Sequence, residues 1–372
     1  MKLTIERATL LRSLGHVQSV VERRNTIPIL SNIRAEAQGD KLGLTATDMD
    51  LSIVEMVPAE IAREGTTTAP AHTLYDIVRK LPEGSQIELD AAPEHGMITL
   101  RSGKFRTTLA CLPAEDFPAM SEGSLPTSFS LPAADLRRMI ERTRFAISTE
   151  ETRYYLNGIY IHVAESDGKQ MLRAVATDGH RLARVEVAQP EGADGMPGVI
   201  VPRKTVIELY KLIDESNSDV EVKLSETKIR FAFDGVVLTS KLIDGTFPDY
   251  ERVIPAGNDK VLEVRRQDFT HAVDRVSAIS SEKSRAIKLS LQNGALELSA
   301  TSPDAGSASE ELEVQYSDGP LEIGFNSRYL LDITQQIMGE QTQFVLADGT
   351  SPTIVRDAGD GSALYVLMPM RV

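Results

Sequence analysis

The chain has one cysteine, Cys111, and no tryptophan in 372 residues. A single thiol excludes an internal disulfide framework and fits a reducing compartment, so stability must come from buried apolar surface. Long apolar runs are also missing: none approaches the roughly 18 residues that span a bilayer. The opening Met-Lys-Leu-Thr-Ile-Glu-Arg puts charges where a signal peptide has its apolar segment, so export and membrane insertion are not expected and the cytoplasm is. The histidines, at 16, 72, 95, 162, 180 and 271, are scattered without a close His or Cys companion. That spacing does not suit structural zinc, and no cofactor is expected. Positive charge is scarce, with a formal net charge of -14. Taken alone, this argues against a polyanionic partner, since phosphate binding needs Lys and Arg.

What is present is repetition. The 372 residues suit two or three domains. Residues 44–54 read as strand, polar turn and strand around Thr47-Asp48, and residues 174–187 do the same around Thr177-Asp178, 130 positions later. Phe117-Pro118 and Phe247-Pro248 share that offset, so a duplication is expected. Three amphipathic helices are predicted over 6–24, 132–144 and 265–279, each followed by a strand-like segment, at 28–37, 154–163 and 286–291. A second helix type recurs within 66–81, 199–213 and 321–338. Between helices, runs such as 228–242 alternate apolar with polar residues, as antiparallel strands do. Turn-rich stretches at 121–130 and 255–260 separate the copies. The expected fold is α+β, three tandem helix-and-antiparallel-sheet modules over 1–122, 129–254 and 255–372.

The basic residues are not spread evenly. Six helix segments (6–24, 71–80, 132–144, 202–211, 265–275 and 326–338) hold 17 Lys and Arg against 9 Asp and Glu. If they share one face, they offer positive charge to a polyanion from an acidic protein; the plainer reading is six solvated helix faces. Repeats joined end to end tend to curve and bring equivalent elements to one side. Six helices at the usual spacing would enclose a hole of about 7 Å, too narrow for a duplex, whereas twelve from a head-to-tail pair leave about 24 Å around a duplex of roughly 20 Å.

Several blocks, in order along the whole chain, resemble the bacterial β sliding clamps, the processivity subunits of DNA polymerase III. They are the opening heptapeptide with Pro28-Ile29-Leu30; Arg153-Tyr154-Tyr155-Leu156-Asn157-Gly158; Ala176-Thr177-Asp178-Gly179-His180-Arg181-Leu182-Ala183; Phe247-Pro248-Asp249-Tyr250; and Tyr365-Val366-Leu367-Met368-Pro369-Met370-Arg371. The resemblance implies the DNA clamp fold, a ring-shaped head-to-tail homodimer with helices lining the hole, and no catalysis. It also implies sequence-independent encirclement of double-stranded DNA, tethering of DNA polymerase III and other polymerases through short linear peptides, and loading by a clamp loader.

Carried over by motif, the peptide cleft would use Leu156, Thr177, Gly179, His180, Arg181, Leu182, Pro248, Arg252, Val253, Val366, Met368, Pro369, Met370 and Arg371. Prolines supply rigid walls and methionines adaptable ones; the competing reading of the tail is a packed terminal edge strand. For DNA, the matched positions are Arg24 at the end of the first helix, Arg79, Tyr154, Tyr155 and Lys204, with Arg137 and Arg138 added from helix position. Glu150 stands where another family member has Gln, a carboxylate in place of a neutral DNA contact. Leu109, Ala278 and Ile279 fall near the family's subunit contact.

Two other classes were weighed. A non-enzymatic DNA-binding regulator would need a recognition element such as a helix-turn-helix, and none is legible. A metal-dependent nuclease would need clustered carboxylates; Asp48 and Asp50 come nearest, and like Asp178 they fit a turn better. Asp178 with His180 lacks the nucleophile a catalytic pair would serve.

Overall fold

The structure, a computed structural model, describes residues 1–92, 96–121, 123–214, 216–280 and 285–372. His95, and Glu122 at the expected end of the first module, lie outside the described residues. The chain packs as two compact units. Met1–Arg137, Pro190–Pro197 and Lys204–Leu242 form one, and Arg138–Gln189, Gly198–Arg203 and Ile243–Val372 form the other.

Helices stand at all six anticipated places: α1 (Arg7–Gln18), α2 (Ala71–Lys80), α3 (Ala133–Glu141), α4 (Arg203–Ile213), α5 (Arg266–Ser277) and α6 (Ser327–Thr334). In the first unit α1 buries Leu10, Leu14 and Val17 and α2 buries Leu74 and Val78, the i, i+4 spacing of one helix face. Each such side chain contributes roughly 2 kcal/mol on burial. Arg79 and Lys80 complement the C-terminal dipole of α2, and the Asn326 side chain caps α6 by accepting from the Arg328 amide.

Several helices are shorter than the periodicity suggests. α1 ends at Gln18 rather than Arg24, tightening into turns in which the amides of Val20 and Val21 donate to the carbonyls of Val17 and Gln18, and side chains hold the segment beyond. Ser19 Oγ donates to the His16 carbonyl at 2.6 Å, Lys204 Nζ to that of Val20 at 3.2 Å, and His72 Nε2 meets that of Val21 at 2.9 Å. Val20 and Val21 are therefore buried without extending the helix, and Arg24 stands in the following loop. The segments 28–37 and 154–163 are not strand throughout: 3-10 turns at Pro28–Ser31 and Glu151–Leu156 precede strands Asn32–Gln38 and Gly158–Ser166.

Each unit contains one eight-stranded antiparallel sheet. In the first, the order is Thr127–Pro132, Asp219–Leu224, Lys228–Phe233, Val236–Lys241, Leu51–Pro58, Lys41–Thr47, Asn32–Gln38 and Gly65–Pro70. In the second it is Val199–Pro202, Gly158–Ser166, Lys169–Thr177, Arg181–Ala188, Ala363–Leu367, Thr353–Asp357, Gln341–Leu346 and Lys260–Arg265. Each sheet is thus four strands from one sequence repeat joined to four from the next, with Ser240 opposite Leu51 and Leu367 opposite Arg181 at the joins. Smaller sheets remain. The first unit has one of five strands ending in Phe105–Ala110, and the second has one of four strands ending in Gly306–Glu313. Among the described residues no helix is long and apolar enough to cross a membrane.

Candidate functional site

The repeated turn is built the same way in both copies. Asp178 Oδ1 accepts from the amides of His180 at 2.9 Å and Arg181 at 3.1 Å, while Thr177 Oγ1 donates to the Arg181 carbonyl at 2.7 Å. Asp48 Oδ1 and Thr47 Oγ1 do the same for Asp50, Leu51 and the Leu51 carbonyl. Both aspartates serve the turn, as the sequence suggested. Gly179 takes a φ of 88°, the left-handed region where glycine carries no Cβ penalty.

Around the second copy lies a largely apolar cavity of about 380 Å³. Its lining includes nine of the residues carried over by motif: Leu156, Thr177, Gly179, Arg181, Leu182, Pro248, Val253, Val366 and Met368. Beneath it sits a core cluster of Leu156, Val175, Leu182, Ile200, Phe247, Tyr250 and Val366, so the floor is rigid while Val253 and Met368 stay 44% and 37% exposed at the rim. The Met368 amide donates to the His180 carbonyl at 2.9 Å, tying the C-terminal wall to the turn. Arg181 is one-tenth exposed. It donates to Asp178, Asp332 and the Phe145 carbonyl at 3.1, 2.5 and 2.7 Å, and its guanidinium lies over the Tyr329 ring at 4.4 Å.

The other five are elsewhere. His180 stacks near Tyr329 and faces a separate polar cavity of about 640 Å³ with Arg144, Arg203, Arg285 and Arg328. Arg252 projects into solvent beside Asp249 at 2.7 Å. Met370 and Arg371 line a third cavity of about 680 Å³ at Gly324, where the Met370 amide donates to the Gly324 carbonyl, and Pro369 is in the lining of none of these three cavities. Both larger cavities are polar or mixed, and the smallest of the three is the one suited to apolar side chains. Two lining residues escaped the motif reading: Arg153, and Tyr155, which the sequence assigned to DNA. Arg153 forks onto Glu150 at 2.7 and 2.8 Å and donates to the Asp178 carbonyl at 3.2 Å. This hydrogen bonding holds the Glu150 carboxyl below its ordinary pKa, so Glu150 is a fixed negative charge.

Of the residues assigned to DNA, Tyr154 is 54% exposed with its ring edge-on to Tyr155. Arg79 and Arg137 are exposed and paired with Asp76 at 3.1 Å and Asp214 at 2.6 Å. Arg138 is half-buried on α3. Lys204 is more constrained, meeting Asp48 at 2.5 Å and Glu22 at 3.3 Å besides the Val20 carbonyl. Leu109 lies in the edge strand Phe105–Ala110, opposite Ile98; Ala278 and Ile279 follow α5. Among the described residues no cluster of His, Cys, Asp and Glu could hold a metal.

Comparison with known proteins gives a consistent result. Family models of the DNA polymerase III beta subunit match along the chain: the N-terminal domain over 1–121, the central domain over 130–249 and the C-terminal domain over 251–371. The beta sliding clamp of Caulobacter vibrioides is 54% identical over 372 residues, covering 100% of each chain. That of Escherichia coli K12 is 40% identical over 375 residues with the same coverage. A crystal structure of a DnaN sliding clamp from Bartonella birtlesii, bound to griselimycin, superposes with a TM-score of 0.97 at 52% identity over 100% of both chains.

Proposed function

This chain belongs to the DNA polymerase III beta subunit family and is a DNA sliding clamp for the replicative polymerase, and we propose that it works as a head-to-tail dimeric ring closed around duplex DNA. The observation that carries the ring is the unfinished pattern of its sheets. Internally, strand Val236–Lys241 pairs with Leu51–Pro58, and Ala363–Leu367 with Arg181–Ala188. The counterparts left without a partner strand on one side are Phe105–Ala110 and Gly306–Glu313. Two copies satisfy both edges twice over. Around the first edge lie Lys104 and Arg106, and along the second Glu311 and Glu313, opposite in sign, while Glu310 is held by Arg275 of its own chain. Leu109, Ala278 and Ile279 belong to this contact.

In that ring the modules are 1–122, 129–254 and 255–372. Arg24, Arg79, Arg137, Arg138, Tyr154 and Lys204 face the DNA, whereas Tyr155 belongs to the peptide cavity, and the arginines contact phosphates irrespective of sequence. Arg79, exposed beside Asp76, exchanges that carboxylate for a phosphate with little cost. Lys204, tied to two carboxylates and a carbonyl, contributes least. The apolar cavity at the second turn takes side chains of a short linear peptide from polymerases and other partners, with Met368 adapting to different sequences. His180, Arg252, Pro369, Met370 and Arg371 act at its margins. The protein turns over no substrate, needs no cofactor, acts in the cytoplasm and is placed on DNA by a clamp loader. The regulator alternative is not favoured by the family membership.

The test is topological. The protein is loaded onto nicked circular DNA with the cognate loader and ATP, the complex is isolated at high salt, and the circle is cut once. Release on cutting supports encirclement; equal retention on circle and line would overturn it.

A further inference from the structure

On the sheet face under the Pro248–Val253 wall, His162, Arg173 and Glu186 stand opposite one another on three neighbouring strands. Arg173 and Glu186 are only 4% and 7% exposed and form a direct ion pair. Arg173 Nη1 also donates to Tyr250 Oη at 3.1 Å and to Glu251 Oε1 at 2.5 Å, and Nη2 to the Glu165 carbonyl at 3.2 Å. Tyr250 Oη lies 3.0 Å from His162 Nε2, and His162 Nδ1 lies 3.1 Å from the Val163 carbonyl. One proton arrangement satisfies the row: Arg173 donates to the phenol oxygen, the phenol donates to Nε2, and Nδ1–H donates to the carbonyl. Tyr160 stacks between His162 at 4.6 Å and Phe247 at 4.9 Å, fixing the start of the same segment.

The wall is therefore bolted down at its middle. Tyr250 and Glu251 are the anchored residues, and Pro248 and Val253, which line the cavity, lie on either side of them. The first repeat lacks the device. By strand pairing, Gly43 and Met56 occupy the places of Arg173 and Glu186, and a Cβ at Gly43 would lie 2.8 Å from Met56 Sδ. At the 130-residue offset Met120 replaces Tyr250. The first repeat therefore has no buried arginine on this sheet face to hold the segment that follows Phe117-Pro118.

We propose that Arg173, with Tyr250 and Glu251, is a positioning group for the peptide cleft: it holds the Pro248–Val253 wall in the binding conformation before the peptide arrives. The inference rests on the cleft reading above. A charge row fixed by several hydrogen bonds spares the ligand the cost of ordering the wall, which is where preorganisation raises affinity.

A short linear peptide taken from the cognate DNA polymerase III, the kind of ligand the cleft reading implies, serves as the probe, titrated calorimetrically into the full-length protein. Met368→Lys tests the cleft itself; unchanged binding there would overturn the cleft reading. Given a loss with Met368→Lys, Tyr250→Phe and Glu251→Ala test the positioning, because neither opens a large cavity in the core. Each is expected to weaken binding roughly five- to tenfold. Amide exchange over residues 249–254 should quicken in the free variants and slow again when the peptide binds. Unchanged affinity in both variants, or weakened affinity without local exchange, overturns the proposal. Arg173→Lys, which keeps the charge and loses the fork, should fall between wild type and Tyr250→Phe.

Discussion

The two copies of the Thr-Asp turn share their internal hydrogen bonds and differ in everything around them. In the second copy, the carbonyl of His180 receives the amide of Met368, an apolar wall residue. In the first, the carbonyl of Asp50 receives the amide of Lys241, whose ammonium then closes on the Asp50 carboxylate at 2.9 Å. Where Gly179 stands in the second copy, Met49 takes a φ of 77° in the first. Asp178 is paired by Arg181 from its own turn, whereas Asp48 is paired by Lys204. One backbone design thus supports an apolar cavity in one place and a salt-bridged surface in the other. Its outer residues, rather than its turn chemistry, decide whether an apolar cavity forms beside it.

The largest test of this difference is removal of the guanidinium that braces the second copy. Arg181→Ala leaves Asp178 and Asp332 without their shared partner, and should lower stability by roughly 3 kcal/mol in chemical denaturation. Lys204→Ala in the first copy, at a more exposed pair, should cost only about 1 kcal/mol. If the two losses are equal, the contrast in bracing is mistaken. Met368→Lys, which gives the second copy the first copy's residue, should weaken binding of a polymerase-derived peptide at the proposed cleft about a hundredfold by placing a charge in an apolar wall. Lys241→Met should create no binding.

Backbone strain gives a smaller, paired effect. Gly179→Ala should lose about 1–2 kcal/mol, since the added Cβ sits at positive φ and 2.6 Å from Arg153 Nη1, whereas Met49→Gly should gain up to about 1 kcal/mol; thermal unfolding compares the two. The smallest effect is a pH slope. Burial pushes the His162 pKa below its ordinary 6.5, partly offset by the Val163 hydrogen bond and reinforced by nearby Arg173. The unfolded chain then takes up a proton that the folded protein refuses. Stability is complete above 6.5 and declines as pH falls through that value toward the lowered folded pKa. His162→Gln should flatten this decline.

Much of this was legible in the sequence because the turn chemistry is local. Asp178 and Asp48 act on amides two and three residues away, and alternation and helical spacing placed the elements. Helix ends were not legible, since the segment just past α1 is held by Lys204 and His72 from far along the chain. Nor was the Lys204 lock, which spans 156 residues, or the row through Arg173, which depends on three strands lying in register. Arg153 is not legible as a cleft residue because a sequence with two following tyrosines reads equally well as a DNA contact, while the 3-10 turn at Glu151–Leu156 turns Arg153 and Tyr155 into the cavity lining.

The way strands are divided between repeats also bears on how the proposed ring comes apart. Three repeats in series make two seams inside a subunit and leave half a seam at each end, so a closed pair has six seams of similar architecture. Four are tethered by a covalent linker, which keeps the separated edges at an effective concentration in the millimolar range and favours rejoining. Two have no tether. A loader that strains the ring evenly would therefore part it where subunits meet, although nothing in the strand pairing need be weaker there.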